Sequence, residues 1–313
     1  MSRSLSHVLA AVFAQPWLME PERAKVLAGV VLRRAAGHRV VWTGMEDDFD
    51  SRPDPNALLL AESRVSAQKA GIEVISLQGA LVHRGAMHNT CGMTSTELIS
   101  AKLRKAANDS GVGTILLDID SPGGEVSGTP ELAAQIASIE KPVVAHANSM
   151  AASAAYWIAS AADELVVTPS GEVGSIGVVM LHEDDSKHMA EEHGVVQTVI
   201  SAGEFKAELW GPLSDEAKAA LQQRANAIYG DFIAGVAKGR GVSAAAVREH
   251  FGKGRIVSAK AALDAGMVDR IATFQDTLDR LLAGGRVRRR STPGATARDD
   301  MDLRERELDH LGR

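Results

Sequence analysis

Ser153 stands in the run Ala147-Asn148-Ser149-Met150-Ala151-Ala152-Ser153-Ala154-Ala155-Tyr156-Trp157. An apolar strand leads into this run and a helix of small residues leads out of it. A serine at such a junction has two readings. As an N-cap it accepts a hydrogen bond from the first helical turn. As a nucleophile it attacks a carbonyl, and the N–H groups and dipole of the following helix stabilise the oxyanion. The small neighbours would keep the second kind of site open to a polypeptide. Ser121-Pro122-Gly123-Gly124 directly follows another apolar strand, Thr114–Asp120. It reads either as an ordinary turn with Pro second, or as a glycine loop whose N–H groups cradle an anion. In parallel sheets ligands bind beyond the carboxyl ends of strands, which is where both runs fall.

A serine nucleophile needs a base. Among ten histidines, His146 lies on the strand before Ser153, and His182, His188 and His193 follow it. Lys206, in Ser201-Ala202-Gly203-Glu204-Phe205-Lys206-Ala207-Glu208, offers another route. A lysine is a base only where desolvation or neighbours favour its neutral form; otherwise it is a solvated surface cation. Cys91 is the single cysteine. It reads as an incidental thiol, and one cysteine makes neither an intrachain disulfide nor a cysteine metal cluster. His182-Glu183-Asp184-Asp185-Ser186-Lys187-His188 resembles a metal loop superficially and reads better as a polar helix start.

The elements that must position these residues alternate. Ile72–Leu77 alternates and is rich in branched residues, as a strand does. Thr94-Ser95-Thr96-Glu97 has capping-box spacing, with Ile99, Leu103 and Ala106 on one helical face behind it. Thr114–Asp120 and Pro142–Ala147 are nearly continuous apolar runs, as in buried parallel strands. Leu132–Ile139 and Ala151–Ala162 read as helices, and Glu164–Thr168, Ile176–Leu181 and Val195–Ile200 as strand-like. The order β-α-β-α-β predicts an α/β fold, a parallel sheet with flanking helices. A long helix runs from Ser214 to about Lys238. Shorter ones start at Ser243 and Ser258, with Gly266 placed to end the second.

The chain has 313 residues, 45% hydrophobic and 24% charged, with 29 glycines and only 4% aromatics. That composition excludes wholesale disorder and predicts a core of closely packed Ala, Val, Leu and Ile. A net charge of −6 argues against a DNA-coating protein. The apolar run Val8–Met19 is interrupted by Pro16 and falls short of the about 20 residues that span a bilayer. No basic start with a cleavage site marks a signal peptide. Residues 1–64 read as a helical N-terminal extension, with Val8–Phe13 and Val26–Leu32 as its apolar stretches, ending in an acidic, proline-containing linker. Residues 65–283 form the main domain. Residues 284–313, with Arg286-Val287-Arg288-Arg289-Arg290, form a charged tail too poor in apolar residues for a core, readable as a docking peptide or as a solvated end.

Four blocks together resemble the signal-peptide-peptidase A family of S49-type serine proteases, which has the ClpP/crotonase-like fold. They are Leu116-Leu117-Asp118-Ile119-Asp120-Ser121-Pro122-Gly123-Gly124, Met150–Ile158 around Ser153, Gly174-Ser175-Ile176-Gly177-Val178, and Gly203-Glu204-Phe205-Lys206. The run Ala261–Arg270 is similar to the family's closing helix and strand. The likeness spans about residues 72–276. It implies Ser153 as nucleophile and Lys206 as general base of a Ser–Lys dyad, with an oxyanion hole from the backbone N–H groups of Gly123, Gly124 and Ala154. No histidine stands where a Clp-type protease would place its base. The family's two glycines after the nucleophile are replaced by Ala154 and Ala155, which adds methyl groups but keeps the backbone N–H groups. The resemblance implies no metal or organic cofactor.

The N-terminal run Ser6–Pro21 and Gly79-Ala80-Leu81-Val82-His83-Arg84-Gly85 are similar to the phage head proteases of the minor capsid protein C type. That branch implies a prohead protease cleaving scaffold, portal-associated or capsid proteins, a homo-oligomer, and a place in the host cytoplasm or the prohead, with no membrane and no specific nucleic acid. The other readings are a housekeeping signal-peptide peptidase, a crotonase-like acyl-CoA enzyme, and a non-enzymatic capsid-assembly protein on the same fold.

Overall fold

The computed structural model describes residues 17–19, 65, 67–84, 93–184 and 186–287. Two sheets organise them. In the larger, β2 (Ile72–Gln78), β5 (Thr114–Ser121) and β7 (Val143–Ala152) pair in parallel in the order β2-β5-β7. The far edge of β7 has two partners. Val144–Ala147 pair with β8 (Glu164–Val167), and Met150–Ala152 pair with β9 (Glu172–Gly174). The exchange falls at Ser149, whose φ of 98° bends β7, and the β5–β7 register shifts between Ile119 and Ser121. β10 (Ile256–Ser258) closes on β9 antiparallel, and β11 (Arg270–Ile271) runs beside β8.

The smaller sheet has the order β1-β6-β3-β4, with β1 Trp17–Met19, β3 Ala80–Val82, β4 Met93–Ser95 and β6 Gly123–Glu125. Here the structure corrects two sequence expectations. Gly123 and Gly124 belong to a strand, not to an open loop. Within the extension read as helical, Trp17–Met19 is a strand; Pro21 disfavours a helical turn here, since its ring would clash with the carbonyl four residues earlier. The rest of residues 1–64, together with Cys91 and residues 288–313 of the tail, lies outside the described residues.

The helices follow the sequence closely where caps are local. α1 (Thr96–Asn108) starts at Ser95, whose hydroxyl accepts from the Leu98 N–H, and buries Ile99, Leu103 and Ala106. α2 (Thr129–Ser138) starts earlier than its apolar stripe suggested, because Pro130 fits the first turn. α3 (Ala154–Ser160) is entirely buried. Tyr156 donates its hydroxyl to the Met267 carbonyl at 2.9 Å, and Trp157 stacks on Phe232 at 4.9 Å. Phe232 belongs to α5 (Asp215–Arg240), capped by Ser214 at the start and by Gly241 in the left-handed region at the end. This helix passes close over α3: a Cβ on Gly235 would overlap the Trp157 ring, and one on Gly239 the Ser160 carbonyl. α6 (Ala244–His250) and α7 (Ala259–Asp264) follow, with Gly266 at φ 74° just past the second. α8 (Phe274–Leu282), opened by a Thr273–Asp276 capping box, covers the opposite sheet face with Leu116, Val144 and Val166 beneath it.

Ile176–Leu181 and Val195–Ile200 are not sheet strands. Residues between β9 and α5 instead form an excursion with one short helix, α4 (Ser186–His193), none of whose residues is buried. No helix among the described residues is long and apolar enough to cross a membrane.

Candidate active site

Ser153 sits at the turn from β7 into α3, with φ 54° and ψ −119°. A non-glycine residue held there costs roughly 1–3 kcal/mol and persists only where its surroundings enforce it. Two bonds do so: the Ser153 N–H donates to the Gly174 carbonyl at 2.7 Å, and the Ser153 carbonyl accepts from the Trp157 N–H at 3.0 Å. The hydroxyl does not cap the helix. It is buried, with the residue 1% exposed, and has no hydrogen-bond partner. A strained serine on a strand-to-helix turn, its hydroxyl uncommitted, is the arrangement of a nucleophile elbow. The helix expected from Ala151 begins only at Ala154, because this turn intervenes.

Ala154 and Ala155, the departures from the family pattern, are fully buried in the first turn of α3. N–H groups of a first turn have no intrahelical acceptor, so the Ala154 N–H stays suited to an oxyanion. β6 packs against α3. Its glycines are required by geometry rather than by flexibility alone. Gly123 has φ 97°, and a Cβ on Gly124 would overlap the backbone of Leu81. The Gly123 N–H donates to the Ser121 hydroxyl at 3.2 Å, and that hydroxyl donates to the Gly79 carbonyl at 2.7 Å.

None of the candidate bases is bonded to Ser153. Lys206 lies on the excursion, exposed, in a turn where its N–H donates to the Gly203 carbonyl at 3.1 Å. The excursion is tied to itself: His182 Nε2 bonds the Gly211 carbonyl at 2.9 Å, and the Trp210 indole donates to Gln197 at 3.3 Å. It nonetheless exposes Val196, Ile200, Phe205, Leu209 and Trp210; Ile200 is 94% and Trp210 65% exposed. In the stretch that superficially resembled a metal loop, Asp184 accepts from the Ser186 N–H at the start of α4. His188 and His193 meet edge to face on that helix.

His146 is buried on the far face of the sheet. Its Nε2 lies 3.1 Å from the Ala272 carbonyl and its ring meets Phe274 edge to face. A carbonyl only accepts, so Nε2 carries the proton and Nδ1, which is buried without a partner, is the bare nitrogen. Burial pushes the imidazole below its ordinary value, against the opposing pulls of the Ala272 carbonyl and Asp118.

One residue of the site is not singled out as such by the sequence. Ser175 is buried with φ 53°, and its N–H donates to the Arg255 carbonyl at 2.8 Å. It follows Gly174, the residue that holds the Ser153 N–H. The signal for it was the Gly174-Ser175-Ile176-Gly177 block, which marks backbone special enough to need flanking glycines.

A parallel sheet wrapped by helices, with a strained serine between strand and helix and a glycine strand packed beside it, defines a ClpP-like α/β protein. Residues 135–288 match peptidase family S49. The chain is 34% identical to the head-tail preconnector protein GP5 of Enterobacteria phage P21 over 89% of its own length and 57% of that protein's. It is 32% identical to capsid assembly protease C of Escherichia phage lambda, over 94% of this chain and 72% of that one. A putative signal peptide peptidase SppA of Enterococcus faecium is 32% identical over 58% of this chain and 53% of its own length. The chain belongs to peptidase family S49.

Proposed function

We propose that the chain is a serine endopeptidase of phage head assembly, cleaving scaffold, portal-associated or capsid proteins in the host cytoplasm or the prohead. The two phage relatives, by their names, support the setting. The observation that carries the chemistry is Ser153: strained, buried, and with a hydroxyl that no structural bond uses.

In this reading Lys206, in its neutral form, takes the Ser153 proton as the hydroxyl attacks a peptide carbonyl. The N–H groups of Gly124 and Ala154 stabilise the oxyanion, joined by that of Gly123 once it is released from the Ser121 hydroxyl that it bonds in this structure. Lys206 then protonates the leaving amine, and water hydrolyses the acyl-enzyme. Loss of one oxyanion donor costs roughly 2.7–4 kcal/mol in such chemistry. No metal or organic cofactor has a part in these steps.

The dyad needs Lys206 against Ser153 and away from water. The exposed apolar residues around it are the means: an exposed apolar patch on a soluble chain marks an interaction surface. A second copy of the chain is the partner we infer, with the excursion seated on it in a homo-oligomer. Seating would take the lysine out of water.

Wild type, Ser153→Ala and Lys206→Ala, each incubated with unfolded casein and fragments read by mass spectrometry, test the assignment. Cleavage by the wild type alone supports it. Equal cleavage by all three overturns it. No cleavage by any, also with prohead proteins added, favours a non-enzymatic assembly role.

A further inference from the structure

The strand that carries the two glycines is already occupied along one edge. β6 pairs in parallel with β3 on one side, at Leu81 opposite Gly124. On the other side Trp17–Met19 pairs with it antiparallel along its whole length: Trp17 opposite Glu125, Leu18 opposite Gly124, Met19 opposite Gly123. Without those three residues that edge of β6 would be unpaired, and an unpaired edge takes up an extended peptide by strand addition. Leu18 and Met19 therefore run past the two residues whose N–H groups are read as oxyanion donors.

We propose that this edge of β6 is the binding strand for substrate polypeptide and that Trp17–Met19 is its intramolecular occupant, which a substrate must displace. The inference rests on the assignment of Gly123 and Gly124 to the oxyanion hole. Three features fit an occupant that can leave. The strand is three residues long, too short to be stable by itself. It comes from far away in the chain, so a long loop closure opposes it. Pro16 and Pro21 on either side have no N–H group to donate to a neighbouring strand.

Adjacent N–H groups of a strand point to opposite edges, so one of Leu18 and Met19 faces β6. The substitution Leu18→Pro with Met19→Pro removes both. The probe is a fluorescein-labelled peptide with the sequence of residues 14–22. It is titrated by anisotropy into full-length Ser153→Ala chain with and without the two prolines. Binding at least tenfold tighter to the proline form is expected; equal affinity overturns the inference. Melting of both forms checks that the fold is intact. A second measurement needs no proline: in Ser153→Ala with its own N-terminus, saturating peptide should speed amide exchange at residues 17–19, and unchanged exchange there overturns the inference.

With Ser153 present, the proline form should show a lower KM for unfolded casein and an unchanged kcat. If no chain cleaves casein but the peptide still prefers the proline form, the peptidase reading fails and the strand site stands. If Ser153-dependent cleavage occurs and the peptide binds both forms alike, the strand site fails alone.

Discussion

Ser153 and Lys206 belong to regions of opposite character. Around Ser153 every residue of α3 is buried, Trp157 stacks on Phe232, Tyr156 is bonded to Met267, and α5 lies over α3 through two glycines. Around Lys206 α4 buries nothing, and Ile200, Phe205 and Trp210 face outward. The first region is completed by the chain itself. The second has the composition of a buried surface, and nothing among the described residues covers it. Tight packing holds the strained Ser153 turn in place, whereas under the proposed dyad Lys206, on its exposed excursion, depends on an outside surface.

The largest effects should come from breaking each side once. Ser153→Ala should lower kcat/KM for casein on the order of 10⁴-fold or more, and leave melting nearly unchanged, since its hydroxyl bonds nothing. Lys206→Ala should lower it comparably at unchanged stability, and Lys206→Arg should not rescue, because a guanidinium stays charged. Next come the residues that pack α5 on α3. Gly239→Val puts its side chain into the Ser160 backbone and should cost about 1–3 kcal/mol by denaturant unfolding. Ile200→Asp with Trp210→Asp sharpens the comparison from the other side. Stability of the isolated chain should move by less than about 0.5 kcal/mol, while sedimentation shows a smaller assembly and casein cleavage falls together with it.

The smallest effect is a pH dependence on the far face. His146 has its imidazole lowered by burial, so the unfolded chain binds the proton more readily. Its contribution to stability is then complete above the ordinary value of about 6.5 and is lost as pH falls below it. Unfolding midpoints between pH 7 and 5 should fall less steeply in His146→Asn than in the wild type, and parallel curves would contradict the assignment.

Much of this was legible in the sequence where local chemistry decides the structure. Ser214 and Ser243 cap helices as their positions imply, and Thr114–Ser121 is the buried parallel strand that its apolar run predicts; at α1 the cap is Ser95, one residue beyond the Thr94 of the expected capping box, whose hydroxyl instead bonds the Gln78 carbonyl. The misses have a common cause, which is pairing at long range. β7 runs on to Ala152 because β9 takes over from β8 at Ser149, and no local pattern announces that exchange. The glycine turn is a strand because β3 and Trp17–Met19 flank it from distant parts of the chain. Val195–Ile200 has the branched residues of a strand and lacks an adjacent edge to join. Ser153 itself was ambiguous between cap and nucleophile, and its hydroxyl makes no cap bond to α3.

The most direct test of the account is the reactivity of Ser153 itself. The full-length chain is treated with a fluorophosphonate, and the labelled residue and rate are read by mass spectrometry in wild type and Lys206→Ala. A single adduct should form on Ser153, at least about 100-fold more slowly without the lysine, as expected for loss of a general base. An adduct elsewhere, or equal rates in the two chains, would contradict it.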